Sequence, residues 1–405
     1  MRRDRRRDGI LAVRPDGLGD VLLTGPAVRA LAASGREVSF LAGPAGTGAA
    51  ALLPGVSRVL AETLPWIDPE PAAVEPGRVR RLLRAVRRLR AAEAVIFTSF
   101  HQSPLPTALV LRMAGVRRIS AISEDYPGSL LDVRHQLTAD LPEARRNLSL
   151  AQAAGFRLPA GDPGTLAVTR PLPDPRPLTG DGRYIVLHPG ASVPARHPST
   201  ARTAAMIAAL VTAGHRVVLT GSAAERELAG PAAAGPRPDA PGPGQPRPAR
   251  PDRVVSLCGR TSLPLLASVL AGADVVIAPN TGAAHLAAAV GTPVVSLFAP
   301  VVPAARWAPY GVPTVLLGDQ DAPCARSRAR SCPVPGHPCL DQIEPSAVVA
   351  AVAALTPTVP VRATPPPTRL ASTGLASMGP PPAAPDRAGP GRAPRGETSV
   401  AGALG

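Results

Sequence analysis

Apolar runs alternate with segments of helical periodicity through the first part of the chain. The apolar runs begin with ILAV (10–13) and EVSFLAG (37–43), and helical spacing is found in VLLTGPAVRALAAS (21–34) and GRVRRLLRAVRRLRAAE (77–93). Strands that are apolar on both faces and alternate with helices are typical of a parallel sheet covered on both sides. We therefore predict an α/β domain with a doubly wound sheet over residues 9–175.

The same alternation restarts after a Pro-rich stretch at 170–182. It predicts a second α/β domain over 182–356, whose last helix is EPSAVVAAVAAL (344–355), with a cleft between the two domains. Two further segments lack periodicity and are rich in Pro and Gly, which is typical of chain without a packed core. We predict a disordered insertion at about 231–252 and a disordered tail over 357–405.

Composition narrows the class of partner. The 405 residues carry a net charge of +15, and because the sequence has no lysine, all 44 basic residues are arginine. Such a charge attracts anions, but aromatic residues, which stack nucleic-acid bases, make up only 2% of the chain. We therefore predict anionic sugar nucleotides or glycolipids as partners, and no nucleic acid.

The sequence also bears on location. It contains no apolar run of about 20 residues, the length that a membrane span needs, and ILAV after the basic start MRRDRRRDG is too short for a signal-peptide core. Four cysteines are too few for a secreted disulfide framework in a chain of this length. We expect a cytoplasmic protein, and we expect a monomer.

A candidate anion site follows the apolar run DVVIAP. The sequence NTGAAHLAAAVG predicts a sharp turn and a helix, with Asn280 as N-cap and the free backbone amides of Thr281 and Gly282 pointing outward. Amides at a helix N-terminus bind anions, and His285 in the next turn could face the ligand. The alternative is an ordinary capped helix with a packed histidine.

Two further loops of the second domain carry candidate donor-binding residues. In LHPGASVPARHPST, a tight turn containing Ser192 precedes Arg196, which could clamp a diphosphate. In VVLTGSAAERELA, Glu225 lies in the first turn after a strand, where a carboxylate commonly accepts ribose hydroxyls. The alternatives are a surface arginine and a favourable charge at a helix N-terminus.

In chain order, four segments resemble glycosyltransferase family 9, the ADP-heptose:lipopolysaccharide heptosyltransferase family. They are RPDGLGDVLLTGPAVRAL, HPGAS…ARHP, GSAAERE and NTGAAHLAAAVGTPVVSLFAP, and the resemblance covers about residues 9–355 without the insertion. It implies the GT-B fold, in which two Rossmann-like domains face each other across a cleft. It also implies inverting, metal-independent transfer of a heptose or related sugar from a nucleotide-diphosphate sugar, such as an ADP-heptose, to a saccharide or glycolipid acceptor, without a cofactor.

The resemblance also implies roles for particular residues. Asp20 matches the family's catalytic base, which accepts a proton from the acceptor hydroxyl as that oxygen attacks the anomeric carbon; the alternative is simple N-capping. The matching positions of the loop and of the donor site are Gly19 and Thr24 on the acceptor side, and Ser192, Arg196, Glu225, Asn280, Thr281, Gly282 and His285 on the donor side. The sequence departs from the family at Asn280, where many members have Asp, and lacks a tryptophan often found beside ARHP.

Three weaker features are weighed against common alternatives. GDQD (318–321) contains a DxD triplet, the metal-binding signature of other glycosyltransferases, but it follows an apolar strand outside the matched motifs, and so short a motif often occurs by chance. Cys324, Cys332, His337 and Cys339 are potential zinc ligands, but their gaps are not those of the usual CxxC pairs. We therefore predict no bound metal. The basic segment RVRRLLRAVRRLR (78–90) could touch anionic lipid headgroups at the inner membrane face, or pack its apolar stripe on the sheet as a crossover helix.

The leading interpretation is therefore a glycosyltransferase. A GT-B-fold sugar-nucleotide epimerase is the alternative among enzymes, and it would need no second substrate. A non-catalytic module that binds anionic glycans or other polyanions is the alternative from another class, and the arginine excess would suit it.

Overall fold

The computed structural model describes residues 8–68, 70–228 and 253–356. The predicted insertion at 231–252 and the predicted tail at 357–405 lie outside these described residues. Within them, no helix is long and apolar enough to cross a bilayer.

The first half of the chain forms one six-stranded sheet with its helices, which we call the N lobe. All strand pairs are parallel, and the strand order reverses direction beside the first strand. The strands are β1 (Gly9–Arg14), β2 (Val38–Ala42), β3 (Val56–Ala61), β4 (Ala91–Ile96), β5 (Arg118–Ile122) and β6 (Val133–His135), in the order β3-β2-β1-β4-β5-β6. The helices are α1 (Leu18–Leu22), α2 (Gly25–Ala32), α3 (Thr47–Leu52), α4 (Pro76–Leu89), α5 (Leu105–Met113) and α6 (Glu143–Ala153).

The second half repeats this architecture as the C lobe. Its six strands are again all parallel. They are β7 (Ile185–Leu187), β8 (Val217–Leu219), β9 (Val254–Ser256), β10 (Val276–Pro279), β11 (Val294–Leu297) and β12 (Thr314–Leu317), in the order β12-β11-β10-β7-β8-β9. The helices are α7 (Arg176–Thr179), α8 (Thr200–Thr212), α9 (Leu263–Ala271), α10 (Gly282–Val290), α11 (Ala304–Trp307), α12 (Pro338–Asp341) and α13 (Pro345–Leu355).

Side-chain alternation along β1 explains why helices cover both faces of its sheet. Leu11 and Val13 pack with α4 and α5 on one face, whereas Ile10 and Ala12 pack with α1 and α2 on the other. The second of these clusters continues into α9 and α10 of the C lobe, so the two lobes share buried apolar contacts. The predicted class, two doubly wound α/β sheets, is confirmed.

Two predicted segments differ in detail from the structure. The helical stretch 21–34 is broken between α1 and α2, where the Thr24 hydroxyl donates to the Val21 carbonyl and Pro26 starts the second helix. The stretch 77–93 ends as a helix at Leu89 because Arg90 takes a left-handed conformation with φ of 55°. Residues 91–93 therefore belong to β4.

The apolar stripe predicted within 78–90 is confirmed as a packing surface. Leu82, Leu83 and Val86 of α4 are buried against the sheet, while the arginines of the helix are exposed. The crossover-helix interpretation is therefore confirmed for the stripe, and contact of the exposed arginines with lipid headgroups stays a prediction.

Candidate functional site

Asp20 lies in α1, immediately after the carboxyl end of β1. The N-cap of α1 is Gly17, and no side chain caps the helix, so N-capping does not explain Asp20. Its Oδ1 instead accepts a hydrogen bond of 2.9 Å from Nη2 of Arg14. With 30% of its side chain exposed, the carboxylate can reach a molecule in the cleft.

Arg14, the last residue of β1, is fully buried among polar groups. Its Nη2 also donates to Oγ of Ser99 at 2.9 Å, its Nε is 2.7 Å from Oδ2 of Asp16, and its Nη1 is 3.6 Å from Oε2 of Glu143. Burial alone would lower the pKa of Arg14, but the three surrounding carboxylates raise it above the usual value. The guanidinium is therefore a permanent buried charge shared by three carboxylates.

Glu143 begins α6 and is the most deeply buried of these carboxylates. Its side chain has 0% exposure, and neither oxygen has a hydrogen-bond donor among the described residues; its contacts are ion pairs at 3.5–3.6 Å with Arg146 and Arg14. Burial raises the pKa of Glu143, and the two guanidiniums oppose that effect. Arg146 in turn donates to the Thr98 carbonyl.

The predicted anion turn begins α10, and its residues Thr281 and Gly282 are half-buried. The N-cap is Thr281, with no side-chain hydrogen bond, so the prediction that Asn280 caps this helix is wrong. Asn280 is buried because its amide bridges to the backbone of Ala299, accepting from the amide at 3.3 Å and donating to the carbonyl at 3.4 Å. These two hydrogen bonds connect the end of β10 to the segment after β11, and they fix the backbone that precedes the turn.

His285 of α10 is buried and lies directly beside the loop of Asp20. Burial lowers its pKa to about 4; Asp20 acts against that shift and Arg196 adds to it. The imidazole is therefore neutral near pH 7, and its Nδ1 has no hydrogen-bond partner among the described residues. The charges of Asp20 and Arg196 both reach this histidine, so the structure brings these three predicted residues together.

The lobes meet beside Asp20 through two glycines. A Cβ placed on Gly19 would lie 2.7 Å from Cδ2 of His285, and one placed on Gly282 would lie 2.6 Å from Cδ2 of Leu18. Real Cβ atoms do not approach so closely, because interiors are already close-packed. Both glycines therefore permit the contact between α1 and α10.

Substitution of Gly19 by Ala tests this contact. We expect Gly19→Ala to lower the free energy of unfolding by about 1–3 kcal/mol, because the new methyl group overpacks against His285. Gly77→Ala is the matched control, since Gly77 is also helical but has nothing within 4 Å of its Cβ position. Urea unfolding of both variants measures the difference, and equal stabilities would contradict the contact.

Arg196 ends a short 3-10 turn (Pro194–Arg196) in the C lobe and is turned toward Asp20. Burial lowers the pKa of Arg196, while the nearby charge of Asp20 raises it. Its Nε is buried without a hydrogen-bond partner among the described residues. Ser192, in the same loop, is exposed.

Glu225 forms a reciprocal pair with Ser222 at the carboxyl end of β8. Its Oε2 accepts from the Ser222 amide at 2.6 Å, and its own amide donates to the Ser222 hydroxyl at 3.2 Å. This is a capping box. The side chain also fills the space where a Cβ of Gly190 would stand, so Glu225 lies against the turn after β7.

Thr24 is completely buried. Its hydroxyl donates to the Val21 carbonyl, so it shapes the turn between α1 and α2 rather than facing the cleft.

A cavity of about 300 Å³ lies next to the carboxyl ends of β5 and β6. Arg146, His135 and Asp140 of the N lobe line it together with Phe100 and with Arg306 of the C lobe. Arg306 pairs with Asp140 at 2.5 Å and lies 4.5 Å from the centre of the Phe100 ring. The cavity thus combines two guanidiniums with an aromatic wall beside the Arg14 cluster.

The candidate metal ligands lie in the C lobe. All four cysteines are free, and burial together with its neighbours Cys324 and Cys332 raises the pKa of Cys339 to about 12. No group of three or more His, Cys, Asp or Glu residues in the described ranges is arranged to hold a metal ion.

The residues that sequence reasoning missed all surround Asp20 or the cavity. Arg14 and Asp16 could have been noticed, since charged residues at the carboxyl end of a buried strand commonly point into a cleft. Glu143, Arg146 and Gln102 gave no such signal, because they come from distant loops and helix starts.

Comparison with known proteins gives two sequence matches. A family model of glycosyltransferase family 9 (heptosyltransferase) matches residues 79–337. Lipopolysaccharide heptosyltransferase 1 of Pseudomonas aeruginosa is 30% identical over an alignment of 336 residues, which covers 80% of this chain and 87% of that protein.

Solved structures of similar fold were also found. E. coli ADP-heptose LPS heptosyltransferase II has a TM-score of 0.65 at 20% identity, covering 86% of this chain and 98% of that one. E. coli heptosyltransferase WaaC with ADP has a TM-score of 0.61 at 18% identity, covering 85% and 99%. At these identities the likeness establishes the fold, which is the GT-B arrangement of two Rossmann-like sheets.

Proposed function

The chain belongs to glycosyltransferase family 9, the heptosyltransferase family, and we propose that Asp20 is the base of an inverting, metal-independent sugar transfer. The enzyme is a glycosyltransferase, and the proposed donor is a nucleotide-diphosphate heptose or a closely related sugar. One observation carries the mechanism: Asp20 stands beside the free N-terminus of α10, across the contact between the lobes.

The acceptor hydroxyl is proposed to bind at Asp20. Arg14 holds Oδ1 at 2.9 Å, which leaves Oδ2 to accept the proton. As the acceptor oxygen bonds to the anomeric carbon, the bond to the donor diphosphate breaks and the proton passes to the carboxylate. Attack from the side opposite the leaving group inverts the anomeric centre.

The leaving diphosphate gains negative charge in this step. The backbone amides at the start of α10, including that of Gly282, and the guanidinium of Arg196 are proposed to stabilise it. The Nε of Arg196 is buried and has no hydrogen-bond partner within residues 8–68, 70–228 and 253–356, which supports this assignment. A fixed cation and a helix N-terminus together supply the positive charge that a metal ion provides in other transferases.

The remaining donor contacts are proposed from their positions. Glu225 would accept ribose hydroxyls through Oε1, since Oε2 is used by the Ser222 amide. Ser192 would contact the donor from its exposed loop, Thr281 and His285 would complete the phosphate turn, and Asn280 would support that turn from its buried position.

The acceptor is proposed to be a saccharide or glycolipid bound in the cavity beside Arg146 and Arg306. Its lining carries both signs of charge, with Glu124 and Asp140 beside the two arginines, and these groups can donate to and accept from sugar hydroxyls. We also propose that the protein acts as a monomer in the cytoplasm and reaches a lipid-borne acceptor at the inner membrane face.

A basic and partly apolar surface of the N lobe supports the membrane contact. Five exposed arginines of α4 form no ion pair with a carboxylate in the described part of the chain, and α5 beside them exposes Leu109 by 49% and Met113 by 53%. Arginines around exposed apolar side chains favour an anionic bilayer surface. The arginines are Arg80, Arg81, Arg84, Arg87 and Arg88.

Vesicle binding tests this surface. We expect co-sedimentation with vesicles rich in phosphatidylglycerol and a loss of affinity of about 10- to 30-fold in Arg81→Gln/Arg84→Gln, at roughly 1 kcal/mol per arginine. Arg157→Gln/Arg260→Gln, which removes two exposed arginines elsewhere, is the matched control. Equal binding by both double variants would rule out α4 as the docking surface.

A turnover assay tests the proposed reaction. The protein is incubated with ADP-heptose in the presence and absence of a lipopolysaccharide-core acceptor, with EDTA throughout, and products are followed by mass spectrometry and NMR. We expect release of ADP and a product of inverted anomeric configuration only when acceptor is present. Conversion of the donor alone would indicate an epimerase, and binding without turnover would indicate a non-catalytic module.

A further inference from the structure

Three carboxylates contact the single guanidinium of Arg14. They belong to Asp16, Asp20 and Glu143, and Arg146 adds a second positive charge at Glu143. The charge of Arg14 is therefore divided among three acidic groups, so a change at one of them alters the interaction of Arg14 with the other two.

The three carboxylates differ in access to the cleft. The side chain of Asp20 is 30% exposed, that of Asp16 is 12% exposed and that of Glu143 is fully buried. Asp16 is further held by Gln102, whose Nε2 donates to Oδ1 at 2.7 Å. Of the three, Asp20 is therefore the carboxylate placed to meet a substrate. Asp16 and Glu143 can influence Asp20 through Arg14, which all three contact.

Glu143 is held by ion pairs, and neither of its oxygens accepts a hydrogen bond from any described residue. It begins α6, where the helix N-terminus favours an anion, and it lies 3.6 Å from Arg14 and 3.5 Å from Arg146. A buried carboxylate without a hydrogen-bond donor is rare. In a network next to a proposed catalytic base, such a group is a candidate for tuning that base.

We propose that Glu143 is a positioning residue that acts on Asp20 through Arg14. The negative charge of Glu143 offsets part of the positive potential that Arg14 exerts at Asp20. The Asp20 carboxylate is therefore less strongly stabilised by Arg14 and stays able to accept a proton. The inference rests on the proposed role of Asp20 as base, and it adds a reason why a base can function beside a buried arginine.

The surroundings of Asp20 set the sign of the expected effect. Removing the negative charge of Glu143 leaves Arg14 to Asp16 and Asp20, so the ionised form of Asp20 gains stability and accepts a proton less readily. The charged or titratable groups that face Asp20 from the elements around it are Arg14, Asp16, His101, Glu143, Arg196 and His285.

The test is the pH profile of Glu143→Gln in the turnover assay. We expect its acidic limb of kcat/KM to move to lower pH by about half a unit or more, and kcat on the plateau to fall about 3- to 10-fold, with the donor KM unchanged. Glu143→Asp, which retains the charge, should restore most of kcat and move the limb back toward its wild-type position.

Glu93→Gln is the matched control. Glu93 is a buried carboxylate of the same lobe, paired with Arg36 at 2.8 Å and Arg118 at 3.3 Å, but it lies toward the opposite end of β4 from the cleft. We expect it to leave the pH profile unchanged. If Glu143→Gln does not fold, Asp16→Asn provides the same test, because it also removes a negative charge from Arg14.

The outcomes separate the two proposals. A Glu143→Gln profile that superimposes on that of the wild type, while Asp20→Asn is inactive, would overturn the role of Glu143 alone. Full activity of Asp20→Asn would instead remove Asp20 as the base. A loss of kcat in Glu143→Gln that Glu143→Asp does not restore, with no shift of the acidic limb, would indicate a merely structural role.

Discussion

Replacing Asp20 by Asn is expected to lower kcat about 10²–10⁴-fold, the usual contribution of a positioned general base. Asn has nearly the same shape and can still accept the hydrogen bond from Arg14, so the loop should keep its conformation. It cannot take up a proton, however. The donor Kd, measured by titration calorimetry with ADP-heptose, should change by no more than a few-fold, because the proposed phosphate contacts lie on α10 and at Arg196.

The control for Asp20 is another carboxylate of the same lobe that pairs with an arginine. Asp162 contacts Arg29 at 2.6 Å, and both side chains are 14% exposed, but neither belongs to the Arg14 cluster. Asp162→Asn should retain turnover close to that of the wild type. Turnover by Asp20→Asn within about tenfold of the wild type would mean that another group accepts the proton.

Replacing Arg14 by Met is expected to lower the free energy of unfolding by about 3–5 kcal/mol, the usual cost of removing one partner from a buried ion pair. The methionine fills part of the space but leaves Asp16, Asp20 and Glu143 without their shared counter-charge. Burial already raises the pKa values of Asp16 and Glu143, with Arg14 opposing that effect, so in the folded variant these two pKa values should rise further. Urea unfolding at pH 7 measures the loss.

The pH dependence of this loss has a definite sign. A carboxyl group whose folded pKa is raised destabilises the protein once the pH exceeds the unfolded pKa, and this destabilisation is relieved as the pH falls toward about 4. The deficit of Arg14→Met should therefore be smaller at pH 5 than at pH 8. A deficit that grows on acidification would contradict the assignment of Arg14 as the neutralising charge.

Arg36→Met is the comparison for this variant. Arg36 is 24% exposed and pairs with Glu93, which keeps Arg118 as a second partner when Arg36 is lost. We expect a loss of only about 1 kcal/mol, as for partly solvated pairs. If Arg36→Met lowers the free energy of unfolding as much as Arg14→Met does, the three carboxylates around Arg14 do not make its loss more costly than that of an ordinary paired arginine.

Periodicity and turn chemistry were enough to predict the fold and part of the site. The apolar strands and the Asn-Thr-Gly turn lie within single stretches of sequence, so local pattern placed β10 and α10 correctly. The resemblance to glycosyltransferase family 9 then associated Asp20 with this turn. The structure brings the two stretches together through Gly19 and His285.

The Arg14 cluster was beyond local pattern. Its hydrogen bond to Ser99 joins residues 85 positions apart, and Glu143 enters from the start of another helix. In a chain with 44 basic residues, Arg14 with Asp16 and Asp20 close to it in sequence is not an unusual pattern by itself. Only the packing of β1, β4 and α6 shows that these groups are buried together.

Asn280 illustrates a different kind of error. Asn before a helix commonly caps it, and the sequence alone favoured that role. Here Ala299 on the neighbouring segment offers both a donor and an acceptor to the same side chain. A buried amide that satisfies two backbone groups outcompetes a solvent-exposed cap, so tertiary context decided the outcome.

The close approach of Gly19 and Gly282 also bears on how the two lobes can move. When two bodies rotate against each other, displacement is smallest where they touch and grows with distance from that fulcrum. One contact between the lobes is next to Asp20 and the start of α10. A rotation of the lobes about this contact would change the spacing between Asp20 and the start of α10 least, while parts of the lobes far from it would move farther apart.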